Sequence, residues 1–129
     1  MKKILIVDDD VRLLNTLRKI LAATGQYEVM TEDSGRRAVA AAPAFKPDLA
    51  ILDVMMPGMD GGEVAAALRR HPATRDIPVL FLTSLMKSTE QYAQRRRESR
   101  NSNVDCLAKP VDPQELCRRV TECLLQQPT

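Results

Sequence analysis

Short apolar runs alternate with amphipathic stretches five times along this chain, and no other feature narrows the possible folds as much. The runs are Ile4-Leu5-Ile6-Val7, a shorter one near residues 28–31, Leu49-Ala50-Ile51-Leu52, Val79-Leu80-Phe81-Leu82 and residues 104–108. Continuous apolar runs of this length, bounded by turn residues, read as strands buried in a sheet. Helix signals fill the intervals. Leu14, Leu17 and Leu21 repeat at i, i+3, i+7, with Leu13 and Ile20 widening the stripe before Gly25. Ser34 is a good N-cap for a second helix, predicted to close before Pro43 because proline removes a backbone donor and crowds the preceding turn. Asp60 with Glu63 three residues on resembles a capping box, opening a helix to about Arg70. The polar residues 87–100 read as a fourth helix. A fifth has Asp112 as cap, Pro113 at its first position and Glu115 behind it, with Leu116, Val120, Cys123 and Leu124 facing inward. Strict alternation of this kind predicts an α/β, doubly wound (βα)5 three-layer sandwich around a five-stranded parallel sheet, in the order 2-1-3-4-5.

Composition sets the outer bounds. At 129 residues, with 44% hydrophobic and 28% charged residues, the chain is expected to be one globular domain over residues 1–129, with no room for a second. A net charge of +2 is too small to argue for nucleic acid. The run Arg95-Arg96-Arg97 reads as a solvated helix face rather than a nucleic-acid contact. His71, after Arg69-Arg70, reads as a helix-end residue and not a ligand. No apolar run approaches the ~18 residues of a membrane span, and Met1-Lys2-Lys3 leads straight into a strand without a signal-peptide region. Cys106, Cys117 and Cys123 are odd in number and lack metal-ligand spacing, which suits a reducing, cytoplasmic setting.

The strand ends carry the chemistry. Asp53 closes the third run, where a carboxylate is costly and disfavoured, so its position needs a reason. A lone Asp there could simply start a turn. Three more polar groups stand at equivalent places: Asp8 and Asp9 after the first run, Thr83 after the fourth, Lys109 after the fifth. Ligands of open parallel sheets bind outside the carboxyl ends of the strands. With strands ~4.8 Å apart, Asp8/Asp9 and Asp53 come within reach of one cation, and hard oxygen donors suit Mg²⁺. Thr83 lies one strand from Asp53 and can donate to an anion on it. Lys109 lies two strands away, roughly 10 Å, and needs its long stem to reach. A carboxylate nucleophile, a divalent cation, a hydroxyl and an ammonium together meet the needs of phosphoryl transfer. A nucleotide-binding or redox α/β domain is excluded for want of a glycine-rich phosphate loop; Gly58, Gly61 and Gly62 lack the fingerprint order.

Val7-Asp8-Asp9-Asp10, the stretch Leu52-Asp53-Val54-Met55-Met56-Pro57-Gly58-Met59-Asp60-Gly61, Thr83-Ser84 and Ala108-Lys109-Pro110 resemble the signatures of the receiver domain of two-component response regulators, over essentially the whole chain. The resemblance implies a flavodoxin-like, stand-alone receiver, a monomer or weak dimer with no output domain in this chain. It implies that Asp53 accepts a phosphoryl group from a phosphohistidine on a sensor histidine kinase or histidine phosphotransfer protein. Asp9, Asp53 and the backbone carbonyl of Met55 would hold Mg²⁺ directly, and Asp8 mostly through water. Thr83 and Lys109 would bind the phosphoryl oxygens, and Ser84 is small enough to leave the site accessible. Such a protein assists its own phosphorylation and slow self-dephosphorylation without being a classical enzyme, and it acts on a downstream effector. A pseudo-receiver, serving as a constitutive interaction module, has no need of so complete a set of buried charges.

Three departures bear on output. Cys106 stands where the family usually has an aromatic switch residue. The interval from Thr83 to Lys109 is a few positions longer than usual, around Arg95–Asn103, and the glycine that commonly precedes the fifth strand is absent. Cys106 is too small to carry an aromatic swing, so residues 84–104 are expected to be the moving part of the surface that they form with the fifth strand and last helix. Met55 and Leu85 are apolar and cannot orient a hydrolytic water, which predicts slow loss of the phosphoryl group. The Lys109-Pro110 peptide is predicted cis, letting Lys109 turn back toward Asp53 while the chain leaves for the last helix.

Overall fold

A computed structural model describes residues 1–84 and 104–125. The expected helix over residues 87–100, the insertion at 95–103 and Leu85 lie outside the described residues.

The apolar runs form β1 (Lys2–Val7), β2 (Tyr27–Glu32), β3 (Leu49–Asp53), β4 (Val79–Thr83) and β5 (Val104–Ala108). They pair in parallel in the order β2-β1-β3-β4-β5, as expected from the sequence. Alternation along each strand divides the apolar residues between two layers, because successive side chains point to opposite faces. Ile4, Ile6, Ile51, Leu80 and Leu82 pack with Leu14, Leu17 and Leu21 of α1 (Val11–Ala22). Leu5, Val7, Leu52 and Phe81 pack on the other face with Ala38 and Ala42 of α2 (Gly35–Phe45) and Val64 and Leu68 of α3 (Gly61–Arg70). The last described helix, α4 (Pro113–Leu125), returns to the α1 side and buries Leu116, Val120 and Cys123 there. The central strands β3 and β4, buried along their whole length, are therefore apolar up to their last residues.

Local signals place the helix starts. The Asp10 carboxylate accepts from the Arg12 and Leu13 amides at 3.0 and 3.3 Å. Asp60 and Glu63 close a reciprocal capping box at 2.8 and 3.2 Å. The Asp112 carboxylate accepts from the Glu115 amide at 3.0 Å. The second helix departs from expectation. It begins after Ser34 but does not close before Pro43; it runs through that residue to Phe45 and ends at Lys46, which adopts φ 54°. Pro43 sits in the last turn, where few downstream bonds depend on it. Ala38 and Ala42, fully buried against the sheet, hold the helix despite the missing donor. His71 is the C-cap of α3, in keeping with a helix-end role. The Lys109-Pro110 peptide is cis.

Candidate functional site

The parallel order brings the carboxyl ends of β1, β3, β4 and β5 together, and the expected site residues stand there. Asp8 follows Val7 at the end of β1, Asp53 ends β3 and Thr83 ends β4. All three are buried, Asp8 completely. Asp9 is exposed at the mouth, and one carboxylate oxygen each from Asp8, Asp9 and Asp53 lies within 4.8 Å of the others. A cluster so close repels itself unless a positive charge stands among it.

Lys109 supplies such a charge. Its backbone N–H donates to the Thr83 carbonyl at 2.7 Å, fixing the residue just beyond β5. Its stem spans the distance to β3 and β1, placing Nζ 2.9 Å from Asp8 Oδ2 and 3.3 Å from Asp53 Oδ1. The other Asp8 oxygen accepts from the Asp10 amide at 2.9 Å, so the buried carboxylate is bonded through both oxygens. The direct pairing of Lys109 with Asp8 was not anticipated from the sequence, which pointed Lys109 only toward an anion on Asp53. Strand order alone gives the neighbours of Lys109 but not which oxygen its flexible stem selects.

Electrostatics follow from burial. Desolvation, then the neighbouring Asp8 charge, raises the Asp53 carboxyl from 3.8 to about 6, while Lys109 and the Met55 amide pull the other way. For Lys109, burial works to lower the pKa, but the hydrogen bond and charge of Asp8, joined by Asp53, outweigh it and hold the ammonium above its ordinary value. Lys109 is thus a firmly charged partner to a carboxylate that is reluctant to ionise.

The loop after β3 is shaped around Asp53. The Met55 amide donates to Asp53 Oδ1 at 3.4 Å, while the Met55 residue is 65% exposed. Gly58 turns the loop at φ 80°. The Gly61 amide donates to the Val54 carbonyl at 3.1 Å, drawing the first turn of α3 against the backbone of Asp53. A Cβ at Gly61 would meet the Asp53 carbonyl oxygen at 2.3 Å. Only glycine permits that approach, a role not read from the sequence, although its place directly after an N-cap Asp was a signal. Ser84 is exposed beside the buried Thr83.

Comparison with known proteins decides the family. The profile of the response regulator receiver domain matches residues 4–121. The chain belongs to that family. Response regulator PleD of Caulobacter vibrioides is 41% identical over 121 residues, covering 92% of this chain and 25% of PleD. The chain thus spans about a quarter of that relative's length. Protein PilH of Pseudomonas aeruginosa is 32% identical over 124 residues, covering 96% of this chain and 98% of PilH. Among solved structures, the chemotaxis protein CheY4 of Vibrio cholerae superposes with a TM-score of 0.83 at 30% identity, covering 95% of this chain and 98% of CheY4. The receiver domain of a signal transduction histidine kinase from Syntrophus aciditrophicus gives 0.78 at 33% identity, covering 97% and 91%. Among the described residues of this receiver, no helix is long and apolar enough to cross a membrane.

Proposed function

We propose that this receiver is a phosphoacceptor switch of a two-component system, with Asp53 as the acceptor. The observation that carries the reading is the convergence on Asp53 of two further carboxylates, within 4.8 Å, and of the Lys109 ammonium at 3.3 Å. Asp53 attacks the phosphorus of a phosphohistidine on a sensor histidine kinase or histidine phosphotransfer protein. A new O–P bond forms, the P–N bond breaks, and the imidazole leaves with the electron pair. Lys109 exchanges one of its carboxylate contacts for a phosphoryl oxygen, and the Thr83 hydroxyl donates to another. Ser84 leaves room for the incoming group.

The donor set suits Mg²⁺, since it consists of carboxylate oxygens with one face exposed at Asp9. Asp9, Asp53 and the Met55 backbone carbonyl would hold the ion directly and Asp8 mostly through water. When bound, it supplies the positive charge that lets three carboxylates and a phosphoryl group share one site. The chain assists its own phosphorylation and slow dephosphorylation without turning over a substrate as a classical enzyme does. The modified state is read by a downstream effector, in the cytoplasm, through a surface that includes β5 and α4.

Transfer from a radiolabelled phosphohistidine donor tests the reading. With Mg²⁺, label should leave the histidine phosphotransfer protein and appear on this chain, and Asp53→Asn should accept none. Label that never moves, or that moves equally to Asp53→Asn, contradicts it.

A further inference from the structure

The loop between β3 and α3 is gripped from a second side, by a residue outside the acidic cluster. Gly35 opens α2 and is buried against that loop. A Cβ at Gly35 would stand 3.0 Å from the Met59 carbonyl oxygen, 3.1 Å from Met59 Cβ and 2.9 Å from Val64 Cγ2. Its helical backbone suits alanine better than glycine, so the bare Cα serves the close approach. Met59 belongs to the same closed segment as Met55. The Met59 amide donates to the Pro57 carbonyl at 3.0 Å, and the Gly61 amide closes the loop on the Val54 carbonyl at 3.1 Å. A shift forced on Met59 has one outlet. Ala38 and Ala42, fully buried on the sheet, keep α2 from retreating. The Asp60–Glu63 capping box and the buried Val64 and Leu68 hold α3 in the same way. Met55, Pro57 and Gly58 are exposed and yield first.

We propose that Gly35 is a positioning residue for the metal-holding loop: the first turn of α2, seated on Met59, sets where the Met55 carbonyl and amide stand beside Asp53. This rests on the reading that the Met55 carbonyl holds Mg²⁺. The Met55 amide already donates to Asp53 Oδ1 at 3.4 Å, so a displaced loop alters the surroundings of Asp53 with or without the ion. Groups that orient a ligand from behind govern metal affinity although they never touch the metal.

Calorimetric titration with Mg²⁺, and amide hydrogen exchange in EDTA, compare the parent with Gly35→Ala and Val64→Ala. Gly35→Ala should bind Mg²⁺ about tenfold more weakly. Without metal, its Met55 amide should exchange several-fold faster than the parent's. Val64→Ala, which removes buried methyl groups, should unfold at lower denaturant and keep the parent's Mg²⁺ affinity and Met55 exchange. Parent-like affinity in Gly35→Ala, or equal weakening in Val64→Ala, overturns the proposal. A parent that binds no Mg²⁺ removes the metal reading instead; the Met55 amide then decides, and unchanged exchange in Gly35→Ala overturns the positioning role. Should Gly35→Ala fail to fold, Gly35→Ala/Val64→Ala relieves the tightest contact and keeps both contacts with Met59. Measured against Val64→Ala, it should show the same two losses, and their absence overturns the proposal.

Discussion

Lys109 and Asp8, 101 positions apart in sequence, meet at 2.9 Å, joining the last strand of the sheet to the first. Asp8 is completely buried, so the ammonium is what makes its charge tolerable. Lys109→Met leaves Asp8 and Asp53 without that charge. In EDTA the variant should lose about 3 kcal/mol of unfolding free energy, the cost of orphaning one partner of a buried pair. Mg²⁺ should restore more of the loss in the variant than it adds to the parent, since it enters an uncompensated cluster. Denaturant titration with and without the ion reads both effects. Equal stabilisation of the two proteins by Mg²⁺ would count against the argument.

Asp53 gives the stability a pH dependence with a definite sign. Its folded pKa, about 6, lies above the ordinary 3.8, so between these values the folded chain keeps a proton that the unfolded chain has released. Stability from this group therefore grows as pH falls through about 6 and is absent above it. In EDTA, Asp53→Asn should be more stable than the parent at pH 7–8, on the order of 2 kcal/mol, with the gain fading toward pH 4. Thermal unfolding across this range measures it; a gain independent of pH would show that the carboxyl is not strained.

Gly61 sets how closely α3 approaches Asp53. Gly61→Ala forces a methyl against the Asp53 carbonyl oxygen, 2.3 Å away without relaxation. Relaxation must move the helix start or the loop, at a cost of roughly 2 kcal/mol. Because the shifted backbone is that of Asp53 itself, labelling by a small phosphodonor should slow by about tenfold in protein that remains folded. Gly62→Ala, whose added Cβ has only ordinary contact at 3.4 Å with Asp60 Oδ1, is the control and should do neither.

Much of this was legible in the sequence, for physical reasons. Strands buried on both faces must be apolar throughout, so a polar residue at each strand's end stands out; Asp8, Asp53, Thr83 and Lys109 were found that way. Caps are local, and Ser34, Asp60 and Asp112 all cap as read. What escaped is set by tertiary packing. Pro43 continues a helix because Ala38 and Ala42 are pressed on the sheet, not because of neighbours in sequence. The partner of Lys109 is chosen by a flexible stem, and the Asp105–Arg119 ion pair joins residues 14 apart on different elements. Spacing alone encodes neither.

Met55 bears on the lifetime of the modified state. It is 65% exposed and two residues beyond Asp53, the proposed acceptor, where an apolar side chain cannot orient a hydrolytic water. Phosphate release from the purified phosphoprotein should be slow and should quicken several-fold in Met55→Asn/Leu85→Glu. An unchanged rate would remove this explanation.

Intact-mass measurement after incubation with acetyl phosphate tests the central claim most directly. With Mg²⁺ the protein should gain one phosphoryl mass and Asp53→Asn none, and EDTA should abolish the gain. Full modification in EDTA, or of Asp53→Asn, would contradict a Mg²⁺-dependent acceptor at the end of β3.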